Sequence, residues 1–226
     1  MNNNESIISY IKVADLISSL NLISGFISVI FAINNNFALS SLFIILAIIF
    51  DCTDGWVARK LNQADDSDFG KNMDSLSDAL SFGLAPGILL YQLGNQLNPE
   101  LNIITIIISA YILWTGVLRL ARFNTMKTNK PGFIGLPIPA TALILAIFYL
   151  TNIFDLYIAY ILMIIASTLM ISKIKYPKIY DKRIIVIMAI LLILTPLQIL
   201  IFNINIPSTL LLILIIIYII PKKQEY

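Results

Sequence analysis

Long apolar runs dominate this chain and leave it few folds. They lie near residues 15–33, 37–57, 73–93, 102–122, 135–151, 154–172, 184–203 and 206–221, the fifth and eighth being short. A helix needs about 17–25 such residues to cross a bilayer. In hydrocarbon it must also satisfy its own backbone hydrogen bonds. The expected fold class is therefore an all-α integral membrane protein, a bundle of about eight transmembrane helices, with six as the alternative. Composition agrees: charged residues make up 12% of the chain and the mean hydropathy is +0.87, whereas a soluble domain carries about 25% charged residues. The opening MNNNESIISYIK is polar and lacks a basic region, so no cleavable signal peptide is expected. The stretch ESIISYIKVADLISSL reads equally as a short interfacial amphipathic helix and as the frayed start of the first span.

The basic residues give these spans a direction. Lys12 precedes the first. Arg59, Lys60 and Lys71 lie between the second and third. Arg119, Arg122, Lys127 and Lys130 fall at and after the end of the fourth. Lys173, Lys175, Lys178, Lys182 and Arg183 join the sixth to the seventh, and Lys222 and Lys223 follow the eighth. All 15 thus occupy alternate connections. Positive charge marks the cytoplasmic side, so both termini and the loop near residue 65 are expected there, in a multi-pass cell membrane protein.

Against this background, FDCTDGWVARKLNQADDSDFGKNMDSLSDALSF (residues 50–82) carries Asp51, Asp54, Asp65, Asp66, Asp68, Asp74 and Asp78. The middle three sit in a polar stretch and read as a solvated acidic loop. The other four do not, because ionisable residues inside spans are costly and point to function. Asp51 and Asp54 are three apart, Asp74 and Asp78 four apart, so each pair shares a helix face. Two antiparallel helices would bring all four carboxylates together near one interface. Their mutual repulsion is relieved by divalent cations, and four carboxylates suit a pair of ions better than one. There is no histidine, and the single cysteine, Cys52, reads as packing. The ligands must then be oxygen, which selects a hard ion such as Mg²⁺, Mn²⁺ or Ca²⁺. Gly55 and Gly70 offer open backbone, and Arg59 offers a guanidinium for phosphate oxygens. Together these features describe a diphosphate site.

Asp51-x-x-Asp54-Gly55-x-x-Ala58-Arg59, followed by Gly70-x-x-x-Asp74-x-x-x-Asp78, resembles the signature of the CDP-alcohol phosphotransferases, integral membrane enzymes of phospholipid synthesis. Eight positions match in order. The ten residues from Lys60 to Phe69 make a longer gap than the usual pattern, an insertion a loop absorbs. SLNLISGF (19–26), SLSDALSFGLAPG (75–87), LRLARFN (118–124) and GLPIPATA (135–142) resemble the phosphatidylserine synthase branch. The C-terminal third resembles nothing beyond generic spans. The whole of 1–226 is expected to be one membrane-embedded domain, with its catalytic part about 15–150 and C-terminal helices about 154–221.

The resemblance implies transfer of a phosphatidyl group from CDP-diacylglycerol, or an ether-lipid analogue, to the hydroxyl of L-serine, releasing CMP. It implies ligation of two metal ions by Asp51, Asp54, Asp74 and Asp78, with Asp78 also the general base. Asn21, Gly55, Ala58, Arg59, Gly70 and Ser75 would bind the CDP-lipid; Asn21 reads nearly as well as a helix–helix hydrogen bond. Arg119, Arg122 and Asn124 would bind serine, although Arg122 reads equally as a positive-inside anchor. Pro137 and Pro139 read as setting the start of the fifth span. A homodimer is implied by the same resemblance, and nothing points to nucleic acid. Two rivals remain: a sibling enzyme taking glycerol phosphate or inositol phosphate, and a cation transporter. The first would need more cationic residues at the pocket. The second predicts acidic residues near the midplane, where none occur.

Overall fold

The computed structural model describes residue 6 and residues 10–61, 69–126, 133–176, 182–197, 199–201 and 203–220. The loop aspartates Asp65, Asp66 and Asp68, together with Lys127, Lys130, Lys178, Lys222 and Lys223, lie outside the described residues.

Helices account for nearly all of it, as the apolar runs require. In chain order they are α1 (Val13–Ile33), α2 (Phe37–Lys60), α3 (Phe69–Asp78), α4 (Ala85–Leu97), α5 (Asn102–Thr125), α6 (Ile138–Leu150), α7 (Leu156–Ile171), α8 (Lys182–Leu194) and α9 (Ile206–Ile219). Among the described residues, three helical stretches are long and apolar enough to cross a membrane: α1, α2 and Pro99–Thr125. Four shorter apolar helices accompany them.

Three expected spans differ in detail. The third is longer than 73–93, because α3 continues into α4 through a π-helical turn at Ala79–Leu84. The wider turn accommodates Pro86, which cannot donate to the helical ladder. The fifth starts at Ile138 rather than 135, since Gly135 has φ +80° and Pro137 is extended. The seventh ends early, at Leu194, ahead of Pro196. Leu200–Ile201 then pairs antiparallel with Ile204–Asn205 around Asn203 at φ +64°, a conformation asparagine tolerates.

Polar caps end the helices where the sequence turns polar. In INNNF, Asn35 takes φ +58° and the Asn36 side chain accepts the Leu39 N–H at 3.2 Å, starting α2. Asp155 does the same for α7, accepting from Ile158 N at 2.9 Å.

α6 is buried nearly all round, from Ile138 through Leu150, and forms the centre of the bundle. α1 is the reverse of a soluble helix. Its buried face is Asp15, Ser18, Asn21, Ser24, Gly25, Ser28 and Ala32, while Leu16, Leu20, Ile23, Phe26 and Ile30 are exposed. Small inward residues let membrane helices approach closely and bond through polar groups. α1 and α2 do so at Ser28 Oγ, which donates to the Ser40 carbonyl at 2.9 Å. That antiparallel contact carries the ends of both helices, with their polar residues, to the same side as α3.

Candidate functional site

Where α1 begins and α2 and α5 end, α3 closes a cavity of about 520 Å³. α2 supplies Asp51, Asp54, Gly55, Ala58 and Arg59 to its wall, and α3 supplies Gly70, Lys71, Asp74 and Asp78. The i, i+3 and i, i+4 spacings put each acidic pair on the inward face of its helix. Asp51, Asp54 and Asp74 each present a carboxylate oxygen, and those atoms lie within 4.8 Å of one another. Asp78 lines the same cavity but stands outside that trio. Asp54 and Asp78 are both only 6% exposed.

The buried counter-charge comes from α5. Arg119 is 7% exposed and lines the cavity, in the field of Asp51, Asp74 and Asp78. Its guanidinium lies over the Phe123 ring at 5.2 Å, a cation–π contact that orients it. Lys12, Arg59 and Lys71 also line the wall, but among the described residues Arg119 is its one buried cation. An all-oxygen set, converging and largely buried, fits a hard divalent cation on donor chemistry.

Gly70 packs against the Asp15 carboxylate, which a side chain there would displace. A Cβ there would stand 2.9 Å from Asp15 Oδ1. Asp15, 6% exposed, lines the cavity and accepts the Lys12 backbone N–H at 2.9 Å. At Gly55 an added Cβ would meet the Arg59 guanidinium at 3.4 Å.

The remaining expected residues lie around this core in three ways. Asn21, fully buried, does not line the cavity; its Nδ2 donates to Asp78 Oδ1 at 3.2 Å. Ser75 and Asn124 bond to each other, Asn124 Nδ2 donating to Ser75 Oγ at 2.8 Å, and Lys71 Nζ donates to the Asn124 carbonyl at 2.9 Å. This latch joins α3 to the end of α5 beside the cavity. Arg122 diverges from Arg119 despite the shared spacing. Its guanidinium donates to the carbonyls of Ile134 (2.6 Å), Met170 (2.7 Å), Ser172 (2.9 Å) and Ile171 (3.2 Å). These are the unpaired carbonyls at the end of α7 and a strand that pairs Phe133–Ile134 with Lys175–Tyr176. A Cβ on Gly135 would run into the Met170 carbonyl and Arg122. Arg122 thereby fixes the segment leading to Pro137 and Pro139, and both prolines line the cavity. Cys52, read as packing, is instead exposed.

Lys12, Ala14, Asp15, Ser18, Lys71 and Phe123 also line the cavity and carried no expectation of function. Asp15, Ser18 and Asn21 repeat at three-residue spacing, a polar stripe in an apolar helix that the sequence displays once it is sought.

The sequence pattern of the CDP-alcohol phosphatidyltransferase family matches residues 11–172. The chain is 42% identical to an archaetidylserine synthase of Methanothermobacter thermautotrophicus, over 79% of this chain and 75% of that protein. It is 45% identical to a CDP-diacylglycerol–serine O-phosphatidyltransferase of Methanocaldococcus jannaschii, over 82% of this chain and 83% of the relative. A Bacillus subtilis protein of the latter name is 34% identical over 70% of this chain and 85% of its own length.

Proposed function

The chain belongs to the CDP-alcohol phosphatidyltransferase family, and from that premise we propose that it transfers the phosphatidyl group of CDP-diacylglycerol, or an ether-lipid analogue, to L-serine, giving phosphatidylserine and CMP. Relatives at 42–45% identity named for serine transfer support this acceptor over glycerol phosphate or inositol phosphate. The observation that carries the reading is the convergence of Asp51, Asp54 and Asp74 in one cavity with Arg119.

In this reading Asp51, Asp54 and Asp74 would hold divalent cations, two in number, with Asp78 contributing to the second site. Bound there, such ions would supply positive charge against the diphosphate and the departing CMP. Gly55, Ala58 and Gly70 leave room for the nucleotide, and Arg59 binds phosphate oxygens. The serine hydroxyl attacks the lipid-side phosphorus, the bond from that phosphorus to the CMP oxygen breaks, and Asp78 takes the hydroxyl proton. Asp78 is suited to that task by position: it lines the cavity while Asn21 fixes its rotation from behind. Arg119 receives the serine carboxylate. Ser75 and Asn124 act at one remove, by joining α3 to α5. The site faces the cytoplasm, as the one-sided basic residues imply, and the chain works as a single domain and as a homodimer.

CMP release from CDP-diacylglycerol should be measured across serine, glycerol phosphate and inositol phosphate, with Mg²⁺, Mn²⁺ or Ca²⁺ added in turn. Serine is expected to be the best acceptor, and faster release with glycerol phosphate would overturn the assignment. In the same assay Arg119→Ala should raise the serine KM by about 10-fold or more, the cost of removing one charged hydrogen bond. CDP-lipid binding should change much less. An unchanged serine KM would remove Arg119 from the acceptor site.

A further inference from the structure

Like-charged carboxylates turn away from one another unless something fixes them, and the staggered rotamers of aspartate give them room to do so. α1 provides the restraint. Ser18 Oγ, 4% exposed, donates to Asp54 Oδ2 at 2.5 Å, across 36 residues of sequence. The hydroxyl has one proton. Its other acceptor, the Ala14 carbonyl, is farther away at 3.3 Å, so the proton points to Asp54. One turn along the same face, Asn21 Nδ2 donates to Asp78 Oδ1 at 3.2 Å. Asn21 is held in turn, its carbonyl accepting from Ser81 Oγ at 2.9 Å. Ser81 reaches that carbonyl across the bare Cα of Gly25, where any side chain would collide with it. A hydroxyl that donates to a carboxylate holds its rotation without adding charge, as outer partners of metal ligands do.

We propose that Ser18 is a positioning residue of the acidic cluster: its hydroxyl fixes the Asp54 carboxylate in the converging orientation and so raises the affinity of the empty enzyme for a divalent cation. The inference rests on the metal-dependent reading above, but it concerns a step before either substrate binds. It also assigns α1 a task that the signature between Asp51 and Asp78 does not contain.

The test is a Mn²⁺ titration of purified full-length protein followed by electron paramagnetic resonance, without CDP-lipid or serine. Ser18→Ala should weaken Mn²⁺ binding by about 10–100-fold, the usual effect of losing an outer partner. Ser18→Thr, which keeps the hydroxyl, should stay close to wild type. At saturating Mn²⁺, CMP release by Ser18→Ala should recover. Alanine is the best helix former, so a folded variant is expected, checked by its elution as wild type on size exclusion. Unchanged Mn²⁺ affinity in folded Ser18→Ala would overturn the proposal. So would a raised KM for the CDP-lipid at unchanged Mn²⁺ affinity, since that makes Ser18 a substrate contact. If wild type itself bound no Mn²⁺, the metal reading would fail first and take this proposal with it.

Discussion

Asp78→Asn is expected to lower CMP release by about 10²–10⁴-fold, the contribution of a positioned general base. The substitution keeps the shape of the side chain and removes its capacity to take a proton. It also preserves the environment, because Asn21 can still donate to an amide oxygen at that position. Asp78 is 6% exposed and packed where α3 passes into the π-helical turn, so a larger change would disturb the helix itself. Binding of the CDP-lipid should survive in part, because Asp51, Asp54 and Asp74 remain together. Single-turnover CMP release and equilibrium binding of the CDP-lipid, measured on one preparation, separate the two effects. Turnover near wild type would take Asp78 out of the base role.

Asp51→Asn should weaken both steps. Asp51 belongs to the converging trio and lines the cavity with Asp78. Losing a direct ligand should cost Mn²⁺ affinity at least the about 10–100-fold typical of an outer partner. CDP-lipid binding should fall with it, since the diphosphate loses its counter-charge. Raising Mn²⁺ should restore part of the turnover, and much less of it for Asp78→Asn, which loses the base as well as a ligand. CMP release as a function of Mn²⁺ concentration checks this. An unshifted Mn²⁺ dependence would remove Asp51 from the ligand set.

The contrast between these variants reflects how the site is written in the chain. The four aspartates were legible because carboxylates in an apolar segment have few structural excuses, and because helical periodicity fixes which face they occupy. Asp51, Asp54 and Asp74 meet as that periodicity requires. The helical class was equally legible, since a long apolar run has one way to satisfy its backbone in lipid.

Other features depend on side-chain direction, which spacing does not give. Arg119 and Arg122 look equivalent in LRLARFN, yet one lines the cavity and the other bonds four carbonyls. That outcome depends on where α7 ends, some 50 residues later. Arg122 is therefore accounted for by these carbonyls, and α5 is anchored by it. Ser18 was hidden for a different reason. A serine in a membrane helix usually bonds the carbonyl one turn back, as Ser19 and Ser24 do here. Only the approach of α2 gives Ser18 a carboxylate to bond instead. The π-helical turn and the early end of α8 were also beyond spacing. The first absorbs a proline inside an apolar run, and the second follows from a short hairpin closing on Asn203.

The central claim is that Asp51, Asp54, Asp74 and Asp78 tolerate one another because divalent ions lie among them and grip a diphosphate. The most direct measurement is anomalous diffraction at the manganese edge from crystals of the full chain grown with Mn²⁺ and CDP. The account predicts anomalous peaks enclosed by these carboxylates, with the CDP diphosphate against them. Bound CDP with no peak among the four aspartates, or manganese held elsewhere in the chain, would contradict it.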